Sequence, residues 1–211
     1  MNFLEYIVTV LLSLQPAYAD KEAWDQRANR MHVIAEAIDD ASSKATCEGK
    51  YSTTDCKKTW TNSKRDLALL LVTKGFWESK FAKNVHEGKC RPYECDSYTK
   101  NGRVIHKARS LWQIQKTGLV TKEEYNMMNA SSVESTTMAA NVAVRYLATG
   151  MNACKTISGA IAIYGGAKSC SWKGALPREH FFKGLRAKSD EQLHNDANLQ
   201  KKNLEERLNT K

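Results

Sequence analysis

The six cysteines of this chain fall into three pairs that are close together in the sequence. Cys47 pairs with Cys56, Cys90 with Cys95, and Cys154 with Cys170. Six cysteines allow 15 disulfide connectivities, but each of these pairs flanks a loop that a single disulfide could close. Zinc would require Cys-x-x-Cys or a similar ligand spacing, which the sequence lacks. We therefore expect three disulfides, no metal site and an oxidising compartment.

The N-terminal segment has features of an export signal. Residues 7–14 form a short apolar core, too short to span a bilayer, and Ala17-Tyr18-Ala19 is typical of a cleavage site before Asp20. Against this interpretation, the segment contains Glu5 and has no Lys or Arg before the apolar core. The alternative is a buried first helix of the fold. We expect residues 1–19 to be a signal peptide and the protein to be periplasmic or extracellular.

Apolar residues recur at three- and four-residue steps along most of the chain, which predicts a mainly helical fold. The helical runs cover residues 20–38, 62–78, 133–150 and 157–164, and Pro177 suits the first turn of another helix. Asn62 or Ser63 can cap the second run, which Gly75 is expected to disturb. Thr121-x-x-Glu124 and Ser131-x-x-Glu134 are two predicted capping boxes, and Gly150 and Gly165 are predicted helix ends.

One segment breaks the helical pattern. Asn101-Gly102 favours a two-residue hairpin turn, because both positions tolerate positive φ. The flanking residues 98–100 and 103–105 are predicted to form short strands. The expected fold class is therefore mainly α, an α+β arrangement with one small β-hairpin.

The C-terminal segment differs from the rest. Beyond about Ala187 it is highly charged and carries only scattered leucines. We predict one folded domain over residues 20–186 and a solvated helical tail over 187–211. The alternative for the tail is a site that binds a protein partner.

The net charge of +9 points to an anionic partner. Nucleic acid, acidic lipid and acidic cell-wall polymers are the classes that such a charge fits. The basic residues are scattered rather than clustered with exposed aromatic residues, so we expect no nucleic-acid partner.

Trp77-Glu78-Ser79 lies where an apolar helix is predicted to end. A glutamate in this setting can remain protonated near neutral pH, because the helix C-terminus and apolar neighbours both disfavour the carboxylate. A proton donor of this kind is what cleavage of a glycosidic bond requires.

Three segments together resemble the lysozyme-like superfamily, in particular soluble lytic transglycosylases and goose-type lysozymes. The first segment, Trp77-Glu78-Ser79, matches the Glu-Ser that holds the family's catalytic acid. The second, Ala108-Arg109-Ser110-Leu111-Trp112-Gln113-Ile114, looks like the family's Gly-Ala-x-Gly-Leu-Met-Gln-Ile. The third, Ala160-Ile161-Ala162-Ile163-Tyr164-Gly165-Gly166, looks like its Ala-x-Ala-Tyr-Asn-x-Gly. The resemblance covers about Asp66 to Gly166. It implies a lysozyme-like helical domain with the hairpin beside the substrate cleft.

This sequence departs from the family pattern at several positions. Ser110 stands where the family usually has glycine, Trp112 replaces methionine, and Gly165 replaces asparagine. The interval between Glu78 and Gln113 is longer than usual, and the excess contains one cysteine pair and the hairpin. These departures suggest a divergent branch with an enlarged loop beside the cleft.

The resemblance implies a role for each matching residue. Glu78 would protonate the β-1,4 bond between N-acetylmuramic acid (MurNAc) and N-acetylglucosamine (GlcNAc) of peptidoglycan strands, and would then act as base while the muramic 6-hydroxyl closes a 1,6-anhydro ring. Ser79, Ser110 and Gln113 would bind substrate, and Tyr164 would do so or hydrogen-bond Glu78. No cofactor is implied, and the basic surface would concentrate the enzyme on anionic cell wall.

Two other functions stay open. A hydrolytic muramidase would need a second carboxylate, for which Glu87, Glu94 and Asp96 are candidates. A non-catalytic wall-binding or structural module would keep the fold alone. Trp112 is either a core residue or a surface on which a sugar stacks. His86 and His106 are expected to be surface loop residues.

Overall fold

The computed structural model describes residues 1–17, 21–44 and 64–210. In these ranges the chain forms nine helices and four short strands. The helices are α1 (Phe3–Leu12), α2 (Trp24–Lys44), α3 (Lys64–Ser79), α4 (Lys83–His86), α5 (Lys122–Met127), α6 (Val133–Cys154), α7 (Ile157–Tyr164), α8 (Ala175–Ala187) and α9 (Asp190–Asn209). The strands are β1 (Ser97–Lys100), β2 (Arg103–His106), β3 (Ala108–Arg109) and β4 (Ile114–Gln115). The expectation of a mainly α fold with a small β element is confirmed.

Two of the three predicted disulfides are present in the described residues. They join Cys90 to Cys95 and Cys154 to Cys170. Cys47 and Cys56 both lie outside the described residues. The third disulfide, between Cys47 and Cys56, therefore stays a prediction.

Two other predicted features lie outside the described residues. They are the cleavage site at Tyr18-Ala19-Asp20 and the helix cap at Asn62 or Ser63. Among the described helices, none is both long and apolar enough to cross a membrane.

Helix α3 is the centre of the fold. Every residue from Leu67 to Gly75 is buried, so the helix has no polar face over this stretch. A helix that is buried on all sides needs neighbours around its whole circumference. Helices α1, α2, α6 and α8 supply them. Because α3 ends at Ser79, the predicted acid Glu78 lies in its last turn.

The N-terminal segment is the first helix of this fold. Asn2 and Glu5 form a capping box at the start of α1. Ile7, Val10 and Leu11 are almost completely buried, and α1 packs against α2 and α9. The structure therefore agrees with the alternative interpretation of this segment, a buried first helix of the fold. Cleavage after Ala19 stays a prediction.

The charged C-terminal segment is helical, but it is not solvated on all sides. Leu193, Ala197 and Leu204 on α9 are buried, and α9 contacts α1 and α2. The expectation of a solvated tail is therefore wrong for the side of α9 that carries these three residues. They are far apart in the sequence, but they lie on one face of the helix and form an apolar stripe.

Helix boundaries follow the local sequence with two corrections. The Thr121/Glu124 capping box opens α5 as predicted. The second predicted box is wrong by one residue, because Ser132 rather than Ser131 caps α6 and accepts a hydrogen bond from the Ser135 amide. Gly150 does not end α6, which continues to Cys154.

The predicted hairpin is present. Asn101 and Gly102 have φ values of 51° and 71°, as a type I′ turn requires. In the antiparallel pair β1–β2, Tyr98 lies opposite Ile105 and Lys100 lies opposite Arg103. A second short pair, β3–β4, joins Ala108 to Gln115 and Arg109 to Ile114. Gln113 lies in the connection between these two strands.

Candidate active site

The end of α3 is fixed by a buried aromatic ring. Lys80 and Phe81 both have positive φ (55° and 51°), so the chain turns sharply after Ser79. The Ser79 hydroxyl donates to the Gly75 carbonyl at 3.0 Å and accepts from the Phe81 amide at 3.2 Å. A Cβ atom on Gly75 would lie 2.5 Å from the Phe81 ring. Glycine at 75 therefore makes room for the ring that holds this turn beside Glu78.

A cavity of about 830 Å³ opens at this helix end. Its wall contains Glu78, Ser79 and Lys80 from the end of α3, Glu94, Cys95 and Asp96 from the disulfide loop, Gln113 and Gln115 from the β3–β4 region, and Tyr146, Tyr164 and Gly165 from α6 and α7. Its size is that of a pocket for a small ligand or for a short stretch of a polymer. Four separated segments thus converge on Glu78.

The structure brings together four of the five predicted site residues. Glu78, Ser79, Gln113 and Tyr164 all line the cavity, whereas Ser110 is not part of its wall. The Ser110 carbonyl accepts hydrogen bonds from the Gln113 amide and from its side-chain Nε2, at 3.2 and 3.1 Å. Ser110 therefore supports Gln113 from behind instead of forming the cavity floor.

Two cations bind the same oxygen of Glu78. Lys74 Nζ lies 2.6 Å and Arg178 Nη2 3.7 Å from Glu78 Oε1. Lys74 is completely buried, Arg178 is 15% exposed and Glu78 is 21% exposed. Two cations, rather than apolar neighbours alone, therefore surround the Glu78 side chain.

Burial has a large effect on Lys74. Loss of solvent lowers the pKa of Lys74 to about 8, with Arg178 adding to this effect and Glu78 opposing it. The ammonium also lies 4.2 Å from the centroid of the Tyr164 ring, a favourable cation–π distance. Sequence reasoning missed both Lys74 and Arg178 as site residues. The four-residue spacing of Lys74 and Glu78 was a usable signal, while nothing local in the sequence marked Arg178.

Tyr164 contacts Glu78 indirectly. Its hydroxyl donates to the Trp112 carbonyl at 2.8 Å, so the predicted hydrogen bond to Glu78 is wrong. Its ring instead lies beneath the Lys74 ammonium that binds Glu78. Burial, the Glu78 carboxylate and Tyr146 together raise the pKa of Tyr164 well above its usual value. Tyr164 therefore stays a neutral hydrogen-bond donor.

Trp112 and Trp172 have different roles. Trp112 is completely buried and its indole nitrogen donates to the Leu71 carbonyl at 2.9 Å, so it is a core residue. Trp172 is 37% exposed. A Cβ atom on Gly165 would lie 3.0 Å from the Trp172 ring. The indole thus occupies the space next to residue 165 where the resemblance placed an asparagine side chain.

The three loop carboxylates that are candidates for a second reactive group, Glu87, Glu94 and Asp96, differ in their position and in their contacts. Glu87 binds Lys83 and Lys89 and is not part of the cavity wall. Glu94 lines the cavity; burial disfavours its ionised form, but hydrogen bonds from Arg91 and Asn84 outweigh this and lower the pKa of Glu94. Asp96 also lines the cavity, and its carboxylate accepts a hydrogen bond from Gln115 at 3.0 Å. Asp96 is therefore the better candidate for a second reactive carboxylate.

Neither predicted loop histidine is a freely exposed residue. His86 is buried and its Nε2 lies 2.9 Å from the Thr136 hydroxyl, which corrects the expectation of a surface position. Burial and the nearby Arg30 lower the pKa of His86 to about 3, so it is neutral. His106 is partly buried and its Nδ1 lies 3.3 Å from the Glu94 carbonyl.

Backbone strain occurs at several residues of the cavity wall. Of the eight described residues other than glycine that have positive φ, four line the cavity: Lys80, Cys95, Asp96 and Gln113. Such conformations cost of order 1–3 kcal/mol each for residues other than glycine and persist where the surrounding structure enforces them. Strain at these four residues supports the choice of this cavity as the candidate site.

Within residues 1–17, 21–44 and 64–210, no three His, Cys, Asp or Glu side chains converge as metal ligands would. The described cavity wall therefore offers carboxylates, the amine of Lys80, amides and tyrosine hydroxyls, while Lys74 and Arg178 contact Glu78 without being part of that wall. Comparison with models of protein families, with curated proteins and with solved structures found no match.

Proposed function

We propose that this protein is a lytic transglycosylase that cleaves the MurNAc–GlcNAc β-1,4 bond of peptidoglycan, with Glu78 as general acid and base. One observation carries the proposal. Glu78, Gln113 and Tyr164, the residues of the three segments that resemble the lysozyme-like superfamily, line one cavity although they are far apart in the sequence.

The reaction that we propose uses one carboxylate twice. Protonated Glu78 gives its proton to the glycosidic oxygen, the bond from that oxygen to the muramic C1 breaks, and the GlcNAc side leaves as an alcohol. The Glu78 carboxylate then takes the proton from the muramic 6-hydroxyl as its oxygen bonds to C1. Lys74 and Arg178 both bind Oε1, so Oε2 is the oxygen left to meet the substrate.

The surrounding groups supply binding and orientation. Lys74 and Arg178 hold the Glu78 side chain in place through Oε1. Gln113, held by two hydrogen bonds to the Ser110 carbonyl, would bind a sugar amide. The two disulfides in the described residues fit an exported protein, and a periplasmic or extracellular location is part of the proposal.

A hydrolytic muramidase is the second candidate function. Asp96 lines the same cavity as Glu78, and a second carboxylate could orient water or attack the sugar. In this case the product would have a reducing end instead of an anhydro ring.

A non-catalytic wall-binding module is the third candidate function. The Lys74–Glu78 pair favours it, because a carboxylate held by a buried lysine is also what a purely structural ion pair would show.

The test is product analysis on purified peptidoglycan. Wild type is expected to release anhydro-muropeptides, which are lighter than reducing-end products by one water. Glu78→Gln should abolish release, and Glu123→Gln, on the exposed first turn of α5, is the matched control that should not. Reducing ends alone would make the enzyme a hydrolase. Equal lysis by wild type and Glu78→Gln would exclude the catalytic role, and binding without lysis by either would leave the wall-binding module.

A further inference from the structure

The hairpin β1–β2 carries an exposed cationic face with one aromatic ring. Residues directly opposite each other on antiparallel strands project to the same side, as do residues two apart. The register therefore places Tyr98, Lys100, Arg103 and Ile105 on one side of the hairpin, which we call the Tyr98 face. Lys100 and Arg103 are both exposed.

The charges on this face are unbalanced. Lys100 lies directly opposite Arg103, and like charges in such a pair destabilise a hairpin. Residues 97–107 contain three cations, the third being Lys107, and no Asp or Glu. In the described part of the chain, none of the three forms an ion pair with a carboxylate. The fold thus keeps a repulsive pair for which the described residues provide no counter-ion.

An aromatic ring lies next to these charges. Tyr98 is 42% exposed, and Lys107 Nζ lies 5.1 Å from its ring centroid. An exposed tyrosine beside cations offers an apolar surface for a sugar or polyol and positive charge for the anion that the polymer carries.

The face adjoins the cavity that contains Glu78. Asp96, which lines the cavity, immediately precedes β1. The Asp96 carbonyl accepts from the Lys107 amide at 3.3 Å, and the Cys95 carbonyl accepts from the Ala108 amide at 3.0 Å. The base of the hairpin is therefore part of the cavity wall, and a polymer on the Tyr98 face lies beside the cleft.

We propose that the Tyr98 face binds a cell-wall polymer with phosphodiester groups, with one phosphate between Lys100 and Arg103 and the adjacent sugar or polyol against Tyr98. Opposing Cβ atoms lie about 4.5–5.5 Å apart, so both cationic groups can reach the same tetrahedral anion. A single-stranded nucleic acid would require a groove with several rings along successive phosphates, whereas this face has one ring and three cations. The site would anchor the protein to the wall independently of catalysis.

Binding of the full-length protein to poly(glycerol phosphate) tests this proposal. We expect Lys100→Gln/Arg103→Gln to weaken binding about tenfold, which corresponds to about 1.4 kcal/mol. Tyr98→Ala should weaken it about threefold. The matched control is Lys201→Gln/Lys202→Gln on α9, which removes the same charge from two exposed lysines and should leave the Kd unchanged. All these variants alter exposed side chains, and their unfolding temperatures should match that of wild type.

Three outcomes would overturn the proposal. The first is equal weakening by the hairpin and α9 variants, which would mean that only overall charge matters. The second is binding unaffected by the hairpin variant. The third is tighter binding of single-stranded DNA with the same number of phosphates, lost in the hairpin variant, which would make this a nucleic-acid face. The binding assay involves no turnover, so its result is distinguishable from a failure of the proposed transglycosylase activity.

Discussion

Lys74 Nζ lies 2.6 Å from Glu78 Oε1, one helical turn away on α3, with no exposed surface on the lysine side chain. Burial lowers the pKa of this lysine to about 8, and the Glu78 carboxylate opposes that effect. The pair therefore links the position of Glu78 to the way in which the buried end of α3 responds to pH.

Replacing Lys74 should change the pH profile of activity. In wild type the rate of peptidoglycan cleavage should change around pH 8, because the pKa of Lys74 is about 8 and its ammonium binds Glu78. Lys74→Met has no ionisable group at this position, so this limb of the profile should be absent. Turbidity loss of purified peptidoglycan between pH 4 and 9 measures this. Lys183→Met, which removes a cation bound to Glu179 instead, should keep the wild-type limb. The same limb in Lys74→Met would disprove the role of Lys74.

The ion pair should also behave as a unit in unfolding experiments. Glu78→Gln leaves a buried cation without its carboxylate and should lower the free energy of unfolding by about 2–4 kcal/mol at pH 7. Adding Lys74→Met removes that cation and should restore most of the loss. Urea denaturation of the two single variants and the double variant measures the coupling. Additive effects would mean that the two side chains do not interact in solution.

Titration of the buried Lys74 should make the free energy of unfolding rise with pH in the alkaline range. Its pKa is about 8 in the folded protein and 10.5 ordinarily, so above pH 8 the unfolded chain binds more protons at this residue. Its contribution to the free energy of unfolding therefore rises from about pH 8 to 10.5. Relative to Lys74→Met, wild type should gain about 1.5 kcal/mol between pH 8 and 9.5, at about 1.36 kcal/mol for each pKa unit. A constant difference would show that Lys74 titrates normally.

The turn after α3 should tolerate no side chain at residue 75. A methyl group on Gly75 would lie 2.5 Å from the buried Phe81 ring, so Gly75→Ala should cost about 1–3 kcal/mol. It should also lower kcat, because the displaced ring supports the helix end that positions Glu78. Gly184→Ala on α8, where a Cβ meets no atom within 4 Å, is the control and should be neutral or slightly stabilising.

Helix α1 should contribute to stability in the chain that begins at Met1. Leu11 is completely buried, so Leu11→Ala should lower the free energy of unfolding by about 2–5 kcal/mol. Leu199→Ala on α9, where the leucine is 52% exposed, should change it by less than about 0.5 kcal/mol. Equal effects of the two substitutions would mean that α1 does not pack in solution as described.

Local signals in the sequence predicted much of the fold. The Asn101-Gly102 turn, the Thr121 capping box and the first turn at Pro177 each depend on a few neighbouring residues, and each lies where expected. The second capping box was misplaced because the Glu134 side chain three residues after Ser131 favoured that serine, whereas the adjacent Ser132 is the cap and accepts from the Ser135 amide.

The candidate site was predictable in part for a similar reason. Glu78, Gln113 and Tyr164 belong to recognisable segments, whereas Arg178 reaches Glu78 only because α8 packs against α3. The hydroxyl of Tyr164 was assigned to the wrong partner, since the sequence does not show that the Trp112 carbonyl lies within its reach. Contacts between distant segments set these details.

The packing of α1 against α9 joins the first and last helices that the structure describes. The first helix therefore has no complete set of neighbours until α9 has been synthesised. Contacts between residues so far apart form late, because a long loop must close before they can stabilise anything. A chain built in this way therefore completes this part of its core only after α9 has emerged from the ribosome.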